Sequence, residues 1–390
     1  MNPTAPASPL LGVYRQPAQT FVSGRGSRIV DDAGREYLDF TAGIAVNALG
    51  HGDPGVAEAV RAALDLGLIH TSNLYRTRPA EELAAWLVEH SFGDRVFFCN
   101  SGAESVEGAL KFARRWATST GALAKTDIVA FSGGFHGRTL GALSATDRPA
   151  YQAPFAPLVP GVRIVDPLDE KAVGDAIERE RTAAVIVEPI QAEGGVRPLA
   201  EGFLQTLRDL CDAAGAVLIF DEVQTGLGRT GRLWAHQWTD VEPDLMTIAK
   251  PLAGGLPMGA VVLREHIAAA IRPGDHATTF GGGPLVASAA LEVCARIASP
   301  GFLEAVRAGE EFLRQRFRGL VGRGAVVDAR GRGLLWGLEL PGAAAPVVEA
   351  ARDAGLLLCL AGPSVVRLLP PLNVSRADLI AGCEILEGAL

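Results

Sequence analysis

Val217-Leu218-Ile219-Phe220 is an apolar run that stops at Asp221-Glu222, and Leu245-Met246-Thr247-Ile248-Ala249 is a second that stops at Lys250. Pro251 and Gly254-Gly255 follow the lysine closely. Short apolar runs bounded by polar residues and turn formers read as parallel strands covered on both faces. Ligands in such sheets gather at the carboxyl ends of the strands, where this acid and this lysine both stand. Lys111, Lys125, Lys171 and Lys250 are the only lysines in 390 residues, and arginine carries the rest of the positive charge. A lysine kept at a buried strand end, where arginine serves elsewhere, points to an amine that must lose its proton.

Outward from these two runs, the stretch from about Arg95 to Leu263 alternates strand and helix patterns. Arg95–Cys99, Ile128–Phe131 and Ala183–Val187 read as strands. Ser101 to Trp116 reads as a helix, and a further helix pattern puts Phe203, Leu207 and Leu210 on one face. This alternation predicts an α/β fold with a doubly wound, mostly parallel sheet. Near the N-terminus, Arg28–Leu38 reads as a hairpin around an Asp-Ala-Gly turn. The last hundred residues mix a long helix pattern with short strands such as Leu334–Leu338 and Val365–Leu369. They predict a smaller α+β domain that combines with the N-terminal hairpin. The division expected is 1–55 for the N-terminal part of the small domain, 56–289 for the large domain and 290–390 for the rest of the small one.

Composition narrows the class. The formal charge of −8 offers no basic footprint for nucleic acid. No uninterrupted apolar stretch is long enough to cross a bilayer, so no membrane partner is expected. The start, Met1-Asn2-Pro3-Thr4-Ala5-Pro6, lacks the order of a secretory signal and reads as a frayed, proline-marked tail. Cys99, Cys211, Cys294, Cys359 and Cys383 are widely spaced, which fits buried thiols in a reducing compartment. A soluble cytoplasmic protein is expected.

Gly226-Leu227-Gly228-Arg229-Thr230-Gly231 matches the dinucleotide fingerprint and follows a strand. Four residues separate it from Asp221, however, and Leu233–Trp238 is too short and aromatic for the helix a pyrophosphate turn needs. The motif reads as a decoy. Ser101-Gly102-Ala103-Glu104 has the spacing of a capping box, and a helix start at the end of a buried strand is also a ready phosphate site. Phe135-His136-Gly137-Arg138 follows Gly133-Gly134 at the same sheet edge. Alone, Phe135 reads as a core residue more readily than as a stacking platform. Arg367 lies inside an apolar run, where a guanidinium needs a carboxylate from protein or ligand. No His-Glu-x-x-His, cysteine pair or Walker loop occurs, so no metal site is expected. An acid, a lysine, a phosphate-ready helix start and an aromatic in one cleft suit pyridoxal phosphate, which needs a lysine to bind it and an acid facing its pyridine nitrogen. The bland alternative for Asp221 and Lys250 is a structural ion pair.

Asp221-Glu222-Val223-Gln224-Thr225-Gly226-Leu227-Gly228-Arg229-Thr230-Gly231, with Lys250 29 positions after the aspartate, resembles the class III aminotransferases. These are pyridoxal-phosphate enzymes of fold type I. The resemblance runs from about Leu38 to Leu372. Within the class, Gly43–His51, Phe135–Thr139, Glu188–Gly195 and Val366–Pro370 are similar to the acetylornithine aminotransferase group.

The resemblance implies a role for each matching residue. Lys250 would hold pyridoxal 5'-phosphate covalently and later shuttle a proton, and Asp221 would pair with the pyridinium nitrogen. Phe135 would stack on one ring face, Val223 would press the other, and Gln224 would meet the phenolic oxygen. Gly102 and Ala103 would offer amides to the phosphate, and Thr279 would reach the phosphate of a neighbouring subunit in a homodimer. Arg138, with Thr278 nearby, would bind the carboxylate of the N-acetylornithine donor. Arg367 would grip the α-carboxylate of glutamate or 2-oxoglutarate, and Glu193 would mask that arginine while the ω-amino donor is bound. The implied reaction is a ping-pong transfer of the δ-amine to 2-oxoglutarate, in arginine biosynthesis. Relatives act on ornithine, succinylornithine, 4-aminobutyrate or a carrier-bound lysine precursor.

Three residues depart from the family pattern: Ala103 stands for the usual threonine, and Val106 and Gly283 for asparagines. They bear on the choice of substrate more than on the chemistry. Two other classes stay open, a nicotinamide oxidoreductase built on Gly226–Gly231 and a silent binding protein. Intact Lys250, Asp221, Arg138 and Arg367 argue against the second.

Overall fold

The computed structural model describes residues 9–14, 16–200 and 202–390, so the Met1–Pro6 tail lies outside the described residues. At its centre is a seven-stranded sheet. Its spatial order is Arg95–Cys99, Gly259–Leu263, Leu245–Ile248, Val217–Asp221, Thr182–Val187, Asp127–Phe131 and Val162–Val165. Gly259–Leu263 runs antiparallel to both its neighbours, and the other pairs are parallel. The expected doubly wound, mostly parallel sheet is therefore present, with one reversed strand.

Side chains alternate between the two faces of each strand. Ile128, Ala130, Ile186 and Ile219 pack with Val106, Ala109, Phe112 and Ala113 of the Gly102–Ser119 helix. Val129, Phe131, Val185, Leu218 and Phe220 pack with Phe203, Leu207 and Cys211 of the Phe203–Ala214 helix. Covering on both faces explains why the strands read as unbroken apolar runs. The register Asp221↔Thr247 sets the acid level with a residue three before Lys250, so both groups reach one sheet edge.

Two smaller sheets flank this core. Phe21–Arg25, Arg28–Asp31 and Glu36–Asp39 form a meander whose third strand pairs in parallel with Leu356–Leu357, joining Leu38 to Leu356 and Asp39 to Leu357. The hairpin turn is built as its sequence suggests. Asp31 Oδ1 accepts from the N–H groups of Ala33 (3.1 Å) and Arg35 (2.8 Å), and Gly34 has φ 79°. The second sheet orders Asp328–Arg332, Leu335–Glu339, Val365–Leu368 and Cys359–Leu360, with Arg367 fully inside it.

Between the first meander and the large sheet, Ala42, Gly43, Ile44 and Ala45 have φ of 43°, 64°, 60° and 67°. This is one left-handed turn, unfavourable for L-residues by about 1–2 kcal/mol each. Asp39 offsets that cost, since its Oδ1 accepts from Thr41 N (2.8 Å), Thr41 Oγ1 (2.6 Å) and Ala42 N (3.1 Å). The turn delivers Val46 to the central cavity. Among the described residues no single helix is long and apolar enough to cross a membrane, and no cluster could hold a metal ion. A bent pair, Pro284–Ile297 and Phe302–Gly322, is apolar enough only jointly, at 66°. Val293, Ile297, Leu313 and Phe317 of that pair are fully buried in the core.

Candidate active site

A cavity of about 450 Å³ opens at the carboxyl edge of the sheet. Val46, Gly102, Ala103, Phe135, Arg138, Glu188, Asp221, Val223, Gln224 and Lys250 all line it. Ten residues distant in sequence thus meet where strand ends and helix starts converge.

Lys250 opens the single 3-10 turn Lys250–Ala253 directly after its strand. Its Nζ makes no hydrogen bond or ion pair among the described residues. Burial lowers its pKa from the ordinary lysine value, opposed by the charge of Glu193, aided by Arg367 and opposed again by Glu188 and Asp221. The amine is therefore easier to deprotonate than a surface lysine, as a covalent nucleophile requires.

Asp221 ends its strand fully buried. Its Oδ2 lies 2.7 Å from His136 Nδ1, and its Oδ1 accepts from Thr247 Oγ1 (3.0 Å) and Val223 N (3.1 Å). Burial alone would lower the His136 pKa, but the hydrogen bond and charge of Asp221, with Glu188 beyond, raise it. The imidazolium form offsets the carboxylate that faces the cavity. Glu188 ends the adjacent strand, accepting from Phe135 N (2.8 Å) and Ala192 N (3.2 Å). Burial pushes its pKa up to about 7, with His136 opposing and Asp221 adding to the rise.

The Gly102–Ser119 helix starts at the cavity wall. Ser101 Oγ accepts from Glu104 N (3.2 Å), and Glu104 reaches back to Asn100 N (2.6 Å) rather than to Ser101. The capping box is thus shifted by one residue. The N–H groups of Gly102 and Ala103 keep no partner among the described residues, and both residues line the cavity. Free donors at a helix N-terminus suit a phosphate. Together with the unpartnered lysine amine and the buried acid, they fit pyridoxal phosphate.

Arg367 is 2% exposed, and its Nη1 donates to Glu193 Oε1 (2.6 Å), Gln224 Oε1 (3.0 Å) and Ala192 O (3.2 Å). Burial would raise the Glu193 pKa, but the charges of Arg367 and Lys250 hold it below the usual carboxylate range. The buried arginine of the sequence has its carboxylate. Gln224 differs from expectation in where its amide goes, because its Nε2 also donates to Glu193 (3.4 Å). Arg138 stands at the exposed rim of the cavity.

Thr278 and Thr279 do not line this cavity. Thr278 Oγ1 accepts from Asn100 Nδ2 (3.0 Å), while Thr279 is exposed beside Phe280, itself 66% exposed. The Gly226–Gly231 loop is also elsewhere. Arg229, 1% exposed, donates from Nη1 to Leu334 O (2.9 Å) and Pro370 O (2.6 Å), which fastens the loop to the C-terminal region. Sequence reasoning passed over His136, Thr247 and Glu188. Glu188 carried a signal, an acid ending a buried strand as Asp221 does, whereas Thr247 was hidden inside an apolar run.

The chain matches the class III aminotransferase family model over residues 13–390. It is 48% identical to the mitochondrial acetylornithine aminotransferase of Alnus glutinosa over 97% of this chain and 84% of that one. It is 44% identical to the succinylornithine transaminase of Citrobacter koseri, covering 96% of this chain and 93% of that one. The structure superposes on the N-acetylornithine aminotransferase of Stenotrophomonas maltophilia with a TM-score of 0.84 at 37% identity, over 96% of each chain. Such agreement along nearly the whole sequence, with the lysine and acid in one cleft, has one reading: the chain belongs to the class III aminotransferases.

Proposed function

We propose that the protein transfers the δ-amine of N2-acetyl-L-ornithine to 2-oxoglutarate, giving N-acetyl-L-glutamate 5-semialdehyde and L-glutamate. The observation that carries this reading is a pair of arginines, Arg138 lining the cavity and Arg367 bonded to the cavity-lining Gln224. Arg367 is masked by Glu193 at 2.6 Å, and Arg138 at the rim is without a carboxylate partner among the described residues. An ω-amino donor with one distal carboxylate needs only Arg138, whereas glutamate with two carboxylates needs both. When bound, pyridoxal 5'-phosphate supplies the electron sink for the carbon that loses its proton. Gly102 and Ala103 would offer N–H groups to its phosphate, Phe135 and Val223 would hold its ring, and Gln224 would serve its phenolic oxygen. Asp221, braced by His136 and Thr247, would supply the carboxylate for its ring nitrogen.

Lys250 Nζ is the base placed to take a proton from the carbon bearing the transferred amine and to return one. Glu193 moves aside when glutamate or 2-oxoglutarate brings an α-carboxylate to Arg367. Glu193→Ala should therefore change the ratio of activities with N-acetylornithine and glutamate, and an unchanged ratio would exclude the switch. The 44% identity to a succinylornithine transaminase favours N2-succinylornithine as the second candidate donor. The deciding experiment follows the absorption of holoenzyme as each donor is added without keto acid. Loss of the yellow band at lower concentration of N-acetylornithine supports the proposal. Preference for the succinyl compound moves the substrate, and a band that neither donor bleaches removes both.

The functional unit we propose is a homodimer with Thr279 completing the partner's phosphate site. Exposed Leu74, Tyr75 and Phe280 line a second cavity of about 350 Å³ and suit a covered face. We retain the division at 1–55, 56–289 and 290–390, with the cytoplasm as compartment; five free cysteines agree with reducing surroundings.

A further inference from the structure

The guanidinium of Arg138 forms no hydrogen bond or ion pair among the described residues, yet it is not left loose. Its Cζ lies 3.5 Å from the ring centroid of Tyr151 and 5.8 Å from that of Phe135. A guanidinium stacked by its face keeps its in-plane N–H donors free, and those are the donors that grip a carboxylate bidentately. A carboxylate partner from the protein would occupy those same donors. Stacking fixes the cation without using up its binding edge.

Tyr151 is itself held in place. It lies on the single turn Pro149–Gln152, which starts at a proline of fixed φ. Gln152 Nε2 donates to Leu143 O (3.1 Å) and Thr146 O (2.9 Å). Thr146 Oγ1 in turn accepts from His136 N (2.8 Å) and Gly137 N (3.2 Å), the two residues before Arg138. One short segment therefore sets both the loop that carries the cation and the ring beneath it. The Tyr151 hydroxyl takes no part in this, since it makes no hydrogen bond among the described residues.

We propose that Tyr151 is a positioning residue that determines specificity for donors with a distal carboxylate, by holding the face of Arg138 so that its donor edge is ready for that group. The inference rests on the reading of Arg138 as the receptor of the donor's carboxylate. Its test is the rate of bleaching of the yellow holoenzyme with N-acetylornithine and with N-acetylputrescine, which has the same skeleton without the carboxylate. Tyr151→Leu should lower kcat/KM for N-acetylornithine about fivefold, mainly through KM, and leave N-acetylputrescine unchanged. Tyr151→Phe keeps the ring and should behave as the parent enzyme. Equal losses with both amines, no loss with either, or a loss in Tyr151→Phe as large as in Tyr151→Leu would overturn the proposal. Arg138→Leu separates the two ideas. A selective loss with N-acetylornithine upholds the receptor even if Tyr151 proves inert, and no selective loss removes the receptor and the proposal together. Tyr151 is 37% exposed, so these variants should fold, and equal thermal midpoints would establish it.

Discussion

Two glycine-bearing turns follow strands of the central sheet, and glycine spacing alone would assign the anion site to the wrong one. Gly226–Gly231 has the spacing of a phosphate loop, yet it is buried structure. Leu227, Gly228 and Gly231 take φ of 48°, 87° and 84°, and Arg229 binds two carbonyls of the C-terminal region. Ser101-Gly102-Ala103 looks like an ordinary helix start, yet it leaves two amides free at the cavity. The difference lies in what comes next. An 18-residue helix follows the second turn and aligns its dipole on the cavity, while only the short 3-10 turn Ala235–Trp238 comes soon after the first. Context, more than glycine spacing, marks an anion site.

The contrast can be broken or sharpened by experiment. Arg229→Ala removes a large buried side chain and leaves two carbonyls unpaired, so urea unfolding should show a loss of about 4 kcal/mol. Cofactor affinity of the folded fraction should not move, and a selective fall in affinity would break the contrast. Glu188, buried beside the cavity, can also be read by pH. The Glu188 pKa is raised to about 7 in the fold. Between its unfolded value near 4.5 and 7 the native state binds more protons than the unfolded chain. Its contribution is therefore present at low pH and lost as pH rises through about 7, by about 3 kcal/mol. Urea midpoints of Glu188→Gln should lack that slope.

At the helix start, a Cβ on Gly102 would lie 2.7 Å from Val223 Cγ1. Gly102→Ala must displace Val223 and should weaken pyridoxal phosphate about tenfold by equilibrium dialysis, with a loss of apoprotein stability of about 1 kcal/mol. Ala103→Thr supplies the hydroxyl that the family pattern leads one to expect and should tighten the cofactor by about threefold, measured the same way. A tightening by Ala103→Thr with no effect of Gly102→Ala would separate hydroxyl from amide.

Much of this was legible in sequence, for physical reasons. Val217–Asp221 and Leu245–Ile248 are covered on both faces, so their runs are apolar and their ends are abrupt. Phe21–Arg25 was not foreseen because all five residues are exposed and no apolar pattern marks them. The reversed strand Gly259–Leu263 is equally buried on both faces, so its composition cannot tell direction. Lys250 and Asp221 stood out as ionisable groups at apolar ends. The partnership of Glu193 with Arg367 was foreseen only through the family resemblance, and that of Tyr151 with Arg138 was not foreseen, because it joins a loop to a short turn whose packing no local pattern encodes.

The parallel pairing of Leu38 with Leu356 and of Asp39 with Leu357 closes a contact across 318 residues. During synthesis the Arg28–Asp39 hairpin must therefore wait, its last strand without that neighbour, until most of the polypeptide has left the ribosome. Asp39 also braces the left-handed turn that brings Val46 to the cavity. Apart from Arg95–Cys99, which waits for Gly259–Leu263, the large sheet can assemble from strands made in close succession, but the catalytic chamber gains its last wall only when the final hundred residues arrive. Premature termination between Leu263 and Leu356 should thus yield a chain with its lysine and acid in place and no closed site around them.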